Sequence, residues 1–306
     1  MNERLKFQFD IYQRRFKQPL RTSHGLWQVR EGIIISLIDN KGNIARGEIA
    51  PLPWFGSETM SEASEFCQQL GDAITARDIQ KIEDCLPCCQ FALESAWLDL
   101  KTTPKNDFVD LNYCYLLPAG ERALAAWQEI YRTKKNNTFK WKIGVYSLDR
   151  EIEILQQLVK ALPAGVKLRL DANGGYDLTE AKQLLDVTDK LEEIEFIEQL
   201  VAPDKFDLML QLSKEHSTLL ALDESVASFR QLQSAHQHRW QGVFVIKAAI
   251  MGFPSQILKY CQANSLDLVF SSVFETEVGR NAVLNLARQL HHPRAVGFGL
   301  DYFAVS

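Results

Sequence analysis

The sequence predicts an α/β protein in which an α+β segment precedes a parallel barrel of eight strands. Three observations carry that prediction. The chain has 306 residues, and at about 150 residues per domain this fits two domains, or one α/β barrel with an added module. The texture of the sequence changes after a short polar stretch, Lys101–Asp107. Beyond it, short apolar runs alternate with amphipathic helical stretches, the pattern of βα units around a parallel sheet.

The first segment is read from its alternation and its turn residues. Phe7–Arg15, Val29–Ile38 and Asn43–Ile49 alternate or are rich in β-branched residues, and Asp39-Asn40-Lys41-Gly42 is a hairpin turn between the last two. Ser57 then precedes an acidic first turn, with Met60, Ala63, Phe66 and Leu70 at helical spacing. A second helix is expected over Cys88–Leu100, carrying Phe91, Ala92, Ser95, Ala96 and Leu98. The domains are therefore drawn at 1–107 and 108–306, the last residues excepted, which are free to return to the first domain.

Eight strands are expected in the second domain: Asn112–Leu117, Thr138–Ile143, Val166–Leu170, Ile194–Ile197, Thr218–Leu222, Val243–Ile246, Leu268–Ser271 and Ala295–Gly299. A helical stretch such as Asp149–Leu162 or Leu178–Leu191 follows each one but the last. Eight such units predict a sheet closed on itself. They share no consensus, which argues against a repeat solenoid.

Composition removes several classes. The chain is 46% hydrophobic and 24% charged, ordinary globular usage rather than a disordered or fibrous one. Its net charge is 34 − 39 = −5, without a basic block, so nucleic acid is not an expected partner. Apolar runs such as Gly32–Ile38 fall far short of the roughly 20 residues that span a bilayer. The start, Met1-Asn2-Glu3-Arg4-Leu5-Lys6, lacks the layout of a secretory signal. A soluble, cytoplasmic protein is expected, with no membrane or obligate protein partner. Cys85, Cys88 and Cys89 form a C-x-x-C-C cluster. It reads either as a metal site lacking a second ligand pair or as small apolar residues opening a buried helix.

In a βα barrel the chemistry sits at the carboxyl ends of the strands. Here those ends carry Lys140-Trp141-Lys142, Asp171-Ala172-Asn173, Glu198-Gln199, Asp223-Glu224 and Lys247. The steps from 142 to 171, 198, 223 and 247 are 29, 27, 25 and 24 residues. Groups one repeat apart are expected at the same level of neighbouring strands, giving the order Lys, Asp, Glu, Asp, Lys. One strand-end acid is what helix capping or a surface ion pair also produces; five ionisable groups in register are not. Three gathered carboxylates call for a cation, and oxygen donors suit a hard divalent ion such as Mg²⁺. Lys140 and Lys142, two apart on a strand, share a face while Trp141 takes the other. A lysine there has a pKa pressed towards neutrality and is able to exchange a proton. Arg169, two before Asp171, shares the inward face, where it pairs with an acid of the site or forms a structural salt bridge.

This set resembles the enolase superfamily, in its branch with two opposed lysines. Gly47-Glu48-Ile49-Ala50-Pro51-Leu52-Pro53-Trp54-Phe55-Gly56-Ser57-Glu58-Thr59 resembles the specificity loop of the o-succinylbenzoate synthase family. Similar likenesses are Val245-Ile246-Lys247 with Gly252, and Phe270-Ser271-Ser272-Val273-Phe274-Glu275-Thr276. The resemblance implies a modified (β/α)7β TIM-type barrel under an N-terminal α+β capping domain. It implies a hydro-lyase that dehydrates 2-succinyl-6-hydroxy-2,4-cyclohexadiene-1-carboxylate to 2-succinylbenzoate, in menaquinone or phylloquinone biosynthesis. The alternatives are N-succinylamino-acid racemisation or another cycloisomerase or epimerase reaction on the same residues, and a non-catalytic barrel. Against an epimerase, Gly299-Leu300-Asp301-Tyr302-Phe303 lacks that group's Asp-x-Asp.

By the same resemblance Asp171, Glu198 and Asp223 hold Mg²⁺, for which Mn²⁺ substitutes. Lys142 takes the proton next to the carboxylate and passes it to the departing hydroxide. Lys140 holds down the pKa of Lys142, and Lys247 lies over the opposite face of the ring. Asn173, Glu224 and Arg169 are assigned supporting positions. Ser271, Ser272, Gly299, Leu52 and Phe55 are candidate substrate contacts. Arg21-Thr22-Ser23-His24-Gly25 resembles a second capping loop, in which His24 is given no catalytic role.

Overall fold

The computed structural model describes residues 3–22, 25–101, 111–291 and 293–300. Arg4–Thr22 (β1) and Gly25–Ile38 (β2) form a long antiparallel hairpin, joined on its far side by Ile44–Ile49 (β3). The turn before β3 falls where Asp39–Gly42 predicts it. The Asp39 carboxylate accepts the amides of Lys41 and Asn43 at 2.8 Å each, and Gly42 supplies a φ of +85°. The hairpin outruns its expected length because the ladder to β2 continues past Arg15, to Thr22 opposite Gly25. Phe16 within this stretch is buried against Trp27 and Phe274. A three-residue strand, Ala73–Thr75 (β4), completes the order β3-β2-β1-β4 and was not expected.

Three helices lie with this sheet: Met60–Leu70 (α1), Ala76–Gln80 (α2) and Pro87–Lys101 (α3). Thr59 rather than Ser57 caps α1, in a box with Glu62. The Ser57 hydroxyl instead accepts the Leu52 amide at 2.7 Å and folds the preceding loop onto itself. Helix α3 presses so closely on β3 that a methyl group at Gly47 would lie 2.1 Å from the Ala92 carbonyl oxygen. Cys88 and Cys89 are buried free thiols at its start and Cys85 is exposed. Cys88 and Cys89 belong to the main apolar core and their backbone amides donate to Glu58, so they open a buried helix.

All eight expected barrel strands are present: Tyr113–Leu117 (β5), Thr138–Lys142 (β6), Lys167–Asp171 (β7), Ile194–Glu198 (β8), Leu220–Leu222 (β9), Val243–Ile246 (β10), Leu268–Phe270 (β11) and Val296–Gly299 (β12). Seven helices alternate with them: Ala123–Lys134 (α4), Leu148–Ala161 (α5), Leu178–Thr188 (α6), Phe206–Glu215 (α7), Phe229–Gln237 (α8), Pro254–Asn264 (α9) and Glu277–Leu290 (α10). The sheet order is β11-β10-β9-β8-β7-β6-β5-β12, and a parallel bridge between Ser271 and Gly297 closes it. Phe196, Ala221, Val243, Val245 and Val269 form an apolar cluster apart from the main core. The larger core, including Trp141, Leu168, Leu170 and Ile197, joins the strands to the helices and the capping domain. No helix among the described residues is long and apolar enough to cross a membrane.

Buried carboxylates of the first domain grip helix starts in the second. Glu48 accepts the amides of Thr276 and Gly279 (2.8 and 2.9 Å) at the start of α10, and the Thr276 hydroxyl also donates to it. Glu94 on α3 accepts the Ser255 amide at 2.9 Å and its hydroxyl at 2.8 Å at the start of α9. Free amides and the dipole at a helix start favour an anion there. The expected boundary at residues 107 and 108 lies outside the described residues, as do Ser23, His24 and 301–303.

Candidate active site

Strand pairing brings the predicted groups to one end of the barrel. Lys142 is opposite Asp171, and Asp171 is opposite Glu198. Beyond that the level climbs: Glu198 is opposite Ala221, so Asp223 stands two residues further on, just past the end of β9. Strands in a closed barrel are tilted and staggered, so equal sequence steps do not give equal height. The expectation that all five groups share one level is corrected accordingly.

Asp171, Glu198, Asp223 and Lys247 are all buried. Lys140 Nζ lies 2.8 Å from Asp171 Oδ2 and 2.6 Å from Glu198 Oε1. Burial opposes the charge of Lys140, but these two carboxylates outweigh it and hold its pKa above the ordinary lysine value. Burial likewise opposes the charge of Asp171, and Lys140 and Lys142 overcome it, bringing its pKa to about 2. Lys142 has a different neighbour. Its Nζ donates to Asn173 Oδ1 at 2.8 Å, with Asp171 Oδ2 at 3.7 Å. Asn173 sits at φ +44°, and its amide group donates to Glu224 Oε1 at 2.9 Å. The loop after Lys142 is braced by Glu151, which accepts the amides of Gly144, Val145 and Tyr146 at 2.9–3.1 Å.

Lys247 reaches the site from across the barrel and donates to Asp223. Burial lowers its pKa to about 7, and Lys140 and Lys142 add to the fall against the pull of Glu198 and Asp171. Glu224 moves the opposite way, raised to about 7 by burial and by the charges of Asp171 and Glu198. Its Oε2 is buried without a hydrogen-bond partner. The donors are all oxygen, and the four acids Asp171, Glu198, Asp223 and Glu224 outnumber Lys140, Lys142 and Lys247 by one. That chemistry fits a hard divalent cation held by Asp171, Glu198 and Asp223.

One of the expected supporting residues lies at the other end of the barrel. Arg169 does not join the acids of this site: its Nε donates to Glu195 at 2.7 Å and its Nη1 to the Ala295 carbonyl at 2.8 Å, at the amino end of the barrel. The Ser272 hydroxyl is spent inside its own loop, donating to Glu275 at 2.7 Å and accepting the Phe274 amide at 2.9 Å. Ser271 pairs with Gly297 at the barrel seam. A methyl group at Gly299 would lie 2.6 Å from the Cys114 carbonyl oxygen, so strand approach explains that glycine. Leu52 is buried in the core, whereas Phe55 places its ring centroid 4.3 Å from Lys247 Nζ. Gln199 was missed. Fully buried at φ +42°, it accepts the amides of Asp223 and Ser225 at 3.1 and 3.0 Å and so fixes the Asp223 backbone. The signal was an amide next to a strand-end acid, Glu198-Gln199.

Comparison with known proteins bears on the family and the fold. Residues 122–301 match the family described as enolase C-terminal domain-like, and residues 12–100 match the MenC N-terminal domain. The chain is 38% identical over 302 residues to an o-succinylbenzoate synthase of Thermosynechococcus vestitus, covering 97% of this chain and 93% of that one. This chain belongs to the o-succinylbenzoate synthase family of the enolase superfamily. A crystal structure of the Thermosynechococcus elongatus synthase, complexed with Mg in its active site, superposes with a TM-score of 0.92 over 98% of this chain and 94% of that one, at 38% identity. The L-Ala-D/L-Glu epimerase of Bacillus subtilis shares the fold, with a TM-score of 0.83 at 21% identity over 99% of this chain and 91% of that one.

Proposed function

We infer that this member of the family is a hydro-lyase that removes water from 2-succinyl-6-hydroxy-2,4-cyclohexadiene-1-carboxylate to form 2-succinylbenzoate. The observation that carries this reading is the unequal state of the lysine pair on β6. Lys140 is held charged between two carboxylates, so it is an electrostatic group. Lys142 donates to the neutral amide of Asn173 and stands 3.7 Å from Asp171, so it is the less tightly paired of the two and is assigned the proton transfers.

Bound at Asp171, Glu198 and Asp223, Mg²⁺ supplies Lewis-acid neutralisation of charge on the substrate carboxylate. Lys142 takes the proton from the ring carbon that bears the carboxylate. The ammonium so formed hands that proton to the departing hydroxide on the same face, and water leaves. Lys140 keeps positive charge beside the carboxylate throughout. Lys247, from the other side, stabilises the negative charge that spreads over the ring, as a cation over a π system does. Asn173 aims Lys142, and Gln199 keeps the Asp223 backbone in place.

Mn²⁺, which takes the same oxygen ligands, is proposed as a substitute metal. Six free cysteines, Cys85 among them exposed, suit a reducing compartment, and we assign the enzyme to the cytoplasm. The quinone pathway of the family is its proposed setting. The test is turnover of the cyclohexadiene by purified protein. Product is expected with Mg²⁺, no product with a chelator, and recovery on re-addition. Full activity after chelation, or no turnover in either state, overturns the reading.

A further inference from the structure

The capping loop does more than lie over the barrel mouth. It is closed on itself by Phe55 N to Leu52 O at 2.8 Å, Gly56 N to Pro53 O at 2.9 Å and the Ser57 hydroxyl on the Leu52 amide. Leu52 is its buried root, and Trp54 stands edge-on to Trp27 with centroids 5.1 Å apart. Trp27 in turn meets Phe16 and, at 5.4 Å, Phe274 of the loop after β11. These contacts leave Phe55 at the end of a short, stiff turn, with Lys247 Nζ 4.3 Å from its ring centroid. That is well inside the ~6 Å within which an ammonium is drawn to an aromatic face.

Both partners of this pair are referred to a single helix. On the loop side, Glu58 accepts the amides of Cys88 and Cys89 at 3.1 and 2.9 Å, at the start of α3. On the lysine side, the turn Ala248–Ile250 follows Lys247 directly. Gln90 of α3 comes so near Gly252 that a methyl group there would lie 2.7 Å from its Oε1. Glu94 of the same helix holds Ser255 by two hydrogen bonds. The 4.3 Å contact is thus fixed from both ends by the capping domain.

We propose that Phe55 is a positioning residue for Lys247: its aromatic face holds the ammonium at the barrel mouth, so that seating the capping loop and placing the opposite-face cation are one event. This rests on the reading of Lys247 as that cation. It differs from a role in covering apolar substrate surface, which any side chain of similar volume would fill.

The two roles separate in a spectroscopic test on the Mg²⁺-loaded protein, made with lysine carrying ¹³C at the ε carbon. The ε-methylene signal lost in Lys247→Arg identifies Lys247. It is expected upfield of ordinary lysine signals, because the ammonium it carries lies over a ring face. Phe55→Leu should return it to the ordinary position and Phe55→Tyr should keep it upfield. Kinetics should follow: Phe55→Leu lowers kcat about tenfold, the size of a partly desolvated cation–π contact, with KM little changed, and Phe55→Tyr recovers most of the loss. Phe55→Met repeats the test if Phe55→Leu does not fold. A Lys247 signal unmoved by loss of the ring, or a loss confined to KM, overturns the proposal. Wild-type protein inert on the cyclohexadiene would overturn the functional reading instead, leaving the spectroscopic result to stand.

Discussion

The two ends of the barrel both bury ion pairs, yet they are built on different arithmetic. At the amino end, Arg169 and Arg294 face Glu195 and Asp267. Arg169 Nε lies 2.7 Å from Glu195, Arg294 Nη1 2.7 Å from the same carboxylate, and Arg294 Nε 2.6 Å from Asp267. Burial would raise the pKa of Glu195, but the two guanidinium groups hold it below the ordinary range. The Phe196 ring lies between them, 4.8 Å from Arg169 and 5.8 Å from Arg294. At the carboxyl end Glu224 keeps a buried oxygen without a partner and its pKa climbs to about 7. A network that satisfies itself is scaffold. One that leaves charge over is prepared for a ligand.

Substitutions should break this contrast in opposite ways. The largest effect is expected from Lys142→Ala, with kcat reduced by more than the ~10⁴-fold upper range for one acid–base group, because a single lysine serves both proton transfers. Steady-state kinetics within tenfold of wild type would name another base. Asp171→Asn, Glu198→Gln and Asp223→Asn should each weaken Mg²⁺ binding by more than the ~10–100-fold typical of an outer residue. Their melting temperatures should fall, since each change leaves a buried lysine, Lys140 or Lys247, short of a carboxylate partner. Titration calorimetry beside thermal unfolding measures both. At the other end Arg169→Met should cost about 3 kcal/mol in urea unfolding, as Glu195 loses a buried partner, while kcat/KM per folded molecule stays unchanged.

The smallest effect sharpens the comparison through pH. Burial, with the nearby Glu48 charge adding, raises Glu275 in the loop after β11 to about 7, against hydrogen bonds from Ser272 and Val273. An acid whose folded pKa exceeds its unfolded value binds more protons when folded, so stability falls as pH rises between the two, here from about 4.5 to about 7. Glu275→Gln should flatten that part of a melting-temperature profile. An identical slope in the variant would show that other groups set it.

Much of the site could be read from the chain because a βα barrel repeats. Lys142, Asp171 and Glu198 are opposite one another in the sheet, as their spacing implies. What spacing could not convey was stagger, which lifts Asp223 two residues past the partner of Glu198. Nor could it tell the two ends apart. Arg169 and Asp171 share an inward face, and only the position of Glu195 and Ala295 shows that the guanidinium turns down rather than up. The Phe55–Lys247 contact lies between residues almost two hundred positions apart, a separation at which local pattern carries no information. Thr59 displaced Ser57 as the cap of α1 because the Ser57 hydroxyl was already holding the loop.

Glu48 and Glu94 place charges of one domain on the free helix starts of the other. Detaching the capping domain would break these charge-assisted hydrogen bonds together and expose the apolar core that both domains share, a substantial combined cost. Neither domain can melt while its neighbour stays intact without bearing that cost. Heating should therefore give one calorimetric transition whose van't Hoff and calorimetric enthalpies agree, although the chain carries two separate sheets. Glu94→Ala combined with Glu48→Ala should split it in two.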